Sequence, residues 1–113
     1  MGGVLSGLAV LFGAFGAHTL KTLLDAKAMG WIQTGVTYQS THALSLIACG
    51  FLPSSKGVSR TALLFIIGIA LFSGSLYSMA LTDVTMLGII TPIGGLFLIG
   101  GWLSFCWVAW KQL

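Results

Sequence analysis

Eight polar side chains carry whatever chemistry this sequence holds: His18, Tyr38, Gln39, His42, Ser73, Ser75, Tyr77 and Thr91. Tyr38 and His42 are spaced i, i+4 and Gln39 and His42 i, i+3, so a helix would set all three on one face. Two histidines in a helical chain raise haem or zinc as ligands. Bis-histidine haem needs both rings at matching depth on facing helices. His18 stands at the edge of its apolar run, whereas His42 lies about 10 Å deeper along the next. No Asp, Glu or Cys is near enough to complete a zinc shell. No metal and no cofactor is therefore expected.

Catalysis is disfavoured on the same residues. A Ser–His couple drawn from Ser73 or Ser75 with His42 lacks any nucleophile-elbow context. General acid–base chemistry wants carboxylates or a histidine with an orienting partner. The only carboxylates, Asp25 and Asp83, fall between the apolar runs, where they read as solvated turn residues. Proton-coupled export would need a membrane-embedded carboxylate, which the sequence lacks. No catalytic residue is assigned.

The elements that must position these side chains follow from the spacing of charge. Lys21, Asp25, Lys27, Lys56, Arg60, Asp83 and Lys111 are the only charged side chains, and they bound uncharged runs of 20, 28, 22 and 27 residues. A hydrocarbon layer ~30 Å thick takes roughly 20 apolar residues of helix to cross. Charged residues are 6% of the chain against ~25% in soluble domains, and 57% are hydrophobic. The expected fold is all-α: a four-helix transmembrane bundle in a single domain, residues 1–113, with spans at about 3–18, 34–52, 61–81 and 87–110.

Each boundary has a local reason. Residues 19–33 read as a short amphipathic segment, with Leu20, Leu24, Ala28 and Trp31 on one face, lying in the headgroup region or forming a plain polar loop. Pro53 and the SSKGVSR loop stop the second span; Thr82 and Asp83 stop the third. Pro92 falls in the first turns of the fourth, where a missing N–H is tolerated, and Trp107 and Trp110 mark its far end. In the first span Ala9, Gly13 and Ala17 form a small-residue face for helix packing, and Gly74 is expected to let the third helix come close. Cys49 and Cys106 have no metal or disulfide spacing and read as apolar packers. No basic region precedes the first apolar run, so a cleaved signal peptide is not expected.

Alternating spans gather the eight polar residues in one half of the membrane, the half bearing segment 19–33 and Asp83. The other half is expected to hold little beyond Ser6, Ser104 and the cysteines. Lys56, Arg60 and Lys111 lie on that other side, against Lys21 and Lys27, so both termini are expected to be cytoplasmic. Three readings of the polar half stay open: a hydrogen-bond network fixing helix register, a shallow pocket for an ion, lipid or small solute, and contacts to a protein partner. In the first, His42 is neutral and bonded within the set of Tyr38, Gln39, Ser73, Ser75 and Tyr77.

GAFGAH (13–18), MGWIQTG (29–35), YQSTH (38–42), LFSGSLY (71–77) and TPIGG (91–95), followed by Gly101 and Trp102, resemble the YgdD/YwdK-like family. Those are small four-span bacterial inner-membrane proteins of unknown function, with relatives in animals. The resemblance covers nearly the whole chain. It implies four transmembrane helices and a cell-membrane address, and it implies no activity. Relatives carry several more residues ahead of GAFGAH, so the start of the first span is expected to be truncated or assigned late.

Two functions are carried forward. The first is a structural or assembly-partner protein of the inner membrane, partnered by the lipid bilayer and by a homo-oligomer or another membrane protein. The second is binding or transport of a small solute, ion or lipid through a polar pocket in the non-cytoplasmic half. The basic excess of +3 reads as topology information, with no nucleic acid implied.

Overall fold

Several polar side chains are buried in this protein, and many large apolar ones face outward. Gln39, His42, Ser45, Thr61, Ser73 and Ser75 are buried, while Val10, Leu44, Leu63, Leu96, Leu103 and Trp107 are more than a third exposed. A water-soluble domain is organised the other way round. Lipid tails tolerate apolar surface and leave polar groups to be satisfied inside the bundle.

The computed structural model describes residues 2–15 and 25–112. Its helices are α1 (Gly2–Phe15), α2 (Ala26–Gly50), α3 (Lys56–Thr82) and α4 (Ile90–Gln112), with a 3₁₀ turn over Thr85–Ile89 leading into α4. Ala17 and His18 lie outside the described residues, as do positions 19–24 of the expected amphipathic segment.

Local chemistry sets the helix ends. The Asp25 carboxylate accepts the Ala28 N–H at 2.8 Å, so α2 starts at Ala26, eight residues before the expected 34. Residues 26–33 are thus the first two turns of α2, not a separate segment. Lys27, the one charged residue within α2, keeps its ammonium 5.1 Å from the Trp31 ring centre. Ser55 caps α3 through the Val58 N–H at 3.1 Å. At the other end of α3, Asp83 takes a left-handed conformation (φ 58°) and donates its N–H to the Met79 carbonyl at 2.8 Å. Both aspartates are helix caps.

The helices pack in chain order, α1 on α2, α2 on α3 and α3 on α4. The described residues extend 49 × 26 × 15 Å, a flattened bundle. With no hydrophobic drive between helices in lipid, close backbone approach supplies the dispersion energy. Glycines on the α3–α4 seam permit it. A Cβ at Gly94 would run into the Phe72 backbone, one at Gly101 would meet the Phe65 ring at 2.8 Å, and one at Gly68 would meet Leu98. On the α2–α3 seam Gly35 serves the same purpose against the Tyr77 ring. Gly74 does not: a Cβ there would meet nothing within 4 Å, because it points off both seams. In α1, Ala9 is buried, and a Cβ at Gly13 would lie 3.5 Å from Val36 of α2.

Candidate functional site

The inward face of α2 builds the site. Gly35, Gln39, His42, Ala43 and Leu46 all point into the bundle, because positions three and four apart stack on one side of a helix. From α3 come Ser73 and Tyr77, and from α4 come Trp102 and Thr91.

Gln39 joins three helices. Its Nε2 donates to the Leu5 carbonyl of α1 at 2.7 Å, and its Oε1 accepts the Tyr77 hydroxyl of α3 at 2.7 Å. Phe12 of α1 packs on the same Tyr77 ring, with centroids 4.9 Å apart. One step away, the Ser73 hydroxyl donates to the Gly35 carbonyl at 2.7 Å. Ser75 points instead toward α4, where it hydrogen-bonds Thr91, and it also donates to the Phe72 carbonyl.

His42 is 5% exposed and held from two sides. The Trp102 indole Nε1 lies 3.0 Å from its Nε2, and the Tyr38 carbonyl lies 2.7 Å from its Nδ1. An indole N–H can only donate and a carbonyl can only accept. His42 Nε2 is therefore the acceptor and Nδ1 carries the proton, which is the neutral ring. Only one of these two partners, Tyr38, belongs to the expected set; Trp102 does not. Trp102 meets the imidazole edge-on, Phe65 lies tilted against it, and the Tyr38 ring stacks beside it at 5.9 Å.

Of the eight predicted polar residues, Tyr38, Gln39, His42, Ser73 and Tyr77 meet around the α2–α3 seam, and Ser75 and Thr91 form a second pair on the α3–α4 seam. His18 lies outside the described residues. Tyr38 contributes its carbonyl and ring, and 43% of the residue remains exposed. Beyond the expected set, the basic half holds its own polar node, since buried Thr61 of α3 hydrogen-bonds Ser104 of α4. Thr61 reads in the sequence as no more than the start of a span.

The polar groups of this arrangement are paired within the protein. Each nitrogen of His42, both ends of Gln39 and the hydroxyls of Ser73, Ser75, Tyr77 and Thr91 have protein partners. Among the described residues, no group of three or more His, Cys, Asp or Glu side chains comes together as metal ligands. Cys49 and Cys106 are free thiols, one buried and one exposed.

A family model described as "Protein of unknown function (DUF423)" matches residues 12–95. The chain belongs to the DUF423 family. A UPF0382 membrane protein of Staphylococcus saprophyticus is 44% identical over 105 residues, covering 91% of this chain and 88% of that protein. A UPF0382 membrane protein of Haemophilus influenzae is 41% identical over 111 residues, 96% of this chain and 90% of the relative. The UPF0382 inner membrane protein YgdD of Escherichia coli K12 is 38% identical over 97 residues, 82% of this chain and 73% of YgdD. The resemblance carried by the GAFGAH, YQSTH and LFSGSLY motifs thus holds at the level of whole sequences. No solved structure matches the chain.

The relatives' names and the inside-out distribution of polarity agree that this is a membrane protein. Two helical stretches, Lys56–Thr82 and Thr85–Lys111, are long and apolar enough to cross a bilayer, and Gly2–Ala14 is a shorter apolar helix. α2 is the polar member of the set because it carries the site.

Proposed function

We propose that this chain is a four-span subunit of a larger membrane assembly, its termini in the cytoplasm, and that the buried polar network fixes helix register for that role. The observation that carries this reading is the outward face of α2. Gln33, Thr34, Thr37 and Thr41 are exposed along one side of the helix, opposite the buried face. Thr41 lies about 22 Å along a helix about 37 Å long, well inside the depth of a hydrocarbon layer. Thr37 returns its hydroxyl to the Gln33 carbonyl at 2.9 Å, a bond that makes such a stripe tolerable in lipid without making it favourable. Small and hydroxyl-bearing residues are what membrane helices place at helix–helix interfaces. The partner fitting this face is another transmembrane helix, from a second copy or a different protein. The basic residues Lys56, Arg60 and Lys111 at one end support the cytoplasmic assignment of that end.

Cysteine crosslinking in native membranes tests the reading. In a chain carrying Cys49→Ser and Cys106→Ser, Thr37→Cys and Thr41→Cys should each give a discrete crosslinked species. Leu96→Cys, on the exposed side of α4, should give none. Uncrosslinked monomer at both α2 positions would overturn the assembly role. A reporter fused to the C-terminus and active only in the periplasm would overturn the orientation.

A further inference from the structure

The end of the bundle opposite Asp25 and Asp83 gathers basic and hydroxyl-bearing side chains. Two adjoining clefts share Ser55 and Arg60. One, of about 530 Å³, is lined by Ser54, Ser55, Lys56, Ser59 and Arg60. The other, of about 400 Å³, runs between the first turn of α3 and the last turns of α4, with Ser104, Trp107 and Lys111 on its far wall. Three of the chain's five basic side chains therefore line these two adjoining clefts, with four serines among them.

Three features make this more than a scatter of surface lysines. The floor is fixed: a Cβ at Gly57 would meet Val108 at 2.9 Å, and the Thr61–Ser104 hydrogen bond ties α3 to α4 directly beneath. The charge has no carboxylate side chain to pair with. Asp25 and Asp83 cap helices at the other end, and Asp83 is about 34 Å along α3 from Arg60, several Debye lengths away. Finally, Lys111 extends its ammonium over the Trp107 ring at 4.9 Å, and Trp107 and Trp110 are both largely exposed. Exposed tryptophans beside basic residues belong at the headgroup level of a membrane.

We infer that this double cleft binds the phosphodiester headgroup of an anionic glycerophospholipid. Arg60 and Lys56, at i and i−4 on one face of α3, flank the phosphate from one side and Lys111 from the other. The hydroxyls of Ser54, Ser55 and Ser59 face its oxygens, and so do the N–H groups of Lys56 and Gly57; the Val58 N–H is already held by Ser55, and the Ser104 hydroxyl by Thr61. The exposed indole of Trp107 meets the glycerol and the first acyl carbons. This site lies at the opposite end from the polar network and does not depend on the assembly proposal.

The test uses the full chain in zwitterionic detergent. Its binding to phosphatidylglycerol and to phosphatidylcholine in mixed micelles is measured by native mass spectrometry and by thermal shift, with glycerol 3-phosphate and inorganic phosphate as soluble arms. Phosphatidylglycerol should bind and stabilise in preference to phosphatidylcholine, and added salt should weaken it. Arg60→Gln and Lys111→Gln should each lose about five-fold in affinity, and the double variant about 25-fold. Lys27→Gln, at the other end, should bind as the parent chain does. Both clefted residues are exposed, and Lys111→Gln alone suffices if Arg60→Gln fails to fold. Equal binding of the two lipids would overturn the inference, as would an equal loss on Lys27→Gln. A full thermal shift produced by inorganic phosphate alone would assign the cleft to a soluble anion and overturn it too.

Discussion

The indole N–H of Trp102 in α4 reaches His42 Nε2 in α2 at 3.0 Å, across 60 positions of sequence. It is the hydrogen bond that joins these two helices, which otherwise meet mainly through α3. Each group needs the other. An indole N–H in a bilayer has no water to bond, and a histidine nitrogen facing Phe65 has none either. The Tyr38 carbonyl, 2.7 Å from Nδ1, holds the ring with Nε2 turned toward Trp102.

Trp102→Phe should therefore strand His42 Nε2 at a cost of about 1–3 kcal/mol. His42→Phe should strand the indole by a similar amount. The double variant should cost less than the sum of the two, because neither orphan is left. Thermal unfolding of all three in one detergent checks it, and strict additivity would show that the pair is not coupled.

Gln39→Leu removes the link among α1, α2 and α3 while keeping nearly the same volume. The Tyr77 hydroxyl loses its acceptor in a place without water, and the expected loss is about 1–3 kcal/mol. Tyr77→Phe in the same chain should recover part of it. Limited proteolysis adds a readout specific to the link, since α1 should become more susceptible in Gln39→Leu than in Tyr77→Phe, where the Leu5 contact survives.

Asp83 is the one described non-glycine residue with positive φ. Left-handed backbone costs an L-residue roughly 1–2 kcal/mol, and Asp bears it better than most. Asp83→Gly should be neutral or stabilising within about 1 kcal/mol, after the entropy that glycine adds to the unfolded chain. Asp83→Val should lose about 1–2 kcal/mol. A large loss in the glycine variant, read as a fall in melting temperature, would mean that the carboxylate does more than occupy a helix end.

Helix number and class were legible because charge cannot enter lipid cheaply, so seven charged residues punctuate the chain. The start of α2 was harder. Lys27 makes 19–33 look like surface, and only the Asp25 cap on Ala28, followed by a cation resting on Trp31, explains how a helix begins there. The α2 side of the site could be read from the spacing of Tyr38, Gln39 and His42, since periodicity within one helix defines a face. The α4 partner could not, because the rotation of one helix against another depends on packing that no single periodicity encodes. Trp102 did carry a signal: it sits eight residues before Trp110, too far from the interface to be a belt residue, and so needs an internal acceptor. The same blindness to rotation misplaced Gly74.

Glycine substitutions separate the two meanings of that residue. Gly94 lies against the Phe72 backbone, where no side chain can swing away, and an added methyl must push α3 and α4 apart. Gly94→Ala should lose about 1–3 kcal/mol by overpacking. At Gly35 the obstacle is the Tyr77 ring, itself pinned by Gln39 and by Phe12, so Gly35→Ala should also destabilise and should loosen the Gln39–Tyr77 bond. Gly74 faces open space, and alanine has a higher helix propensity by about 1 kcal/mol. Gly74→Ala should thus be neutral or raise the melting temperature. Measured together in one detergent, the three variants should rank Gly74→Ala above the parent or level with it, and the other two below. If Gly74→Ala fell with Gly94→Ala, a surface that the four helices leave open would have to be covered by another chain.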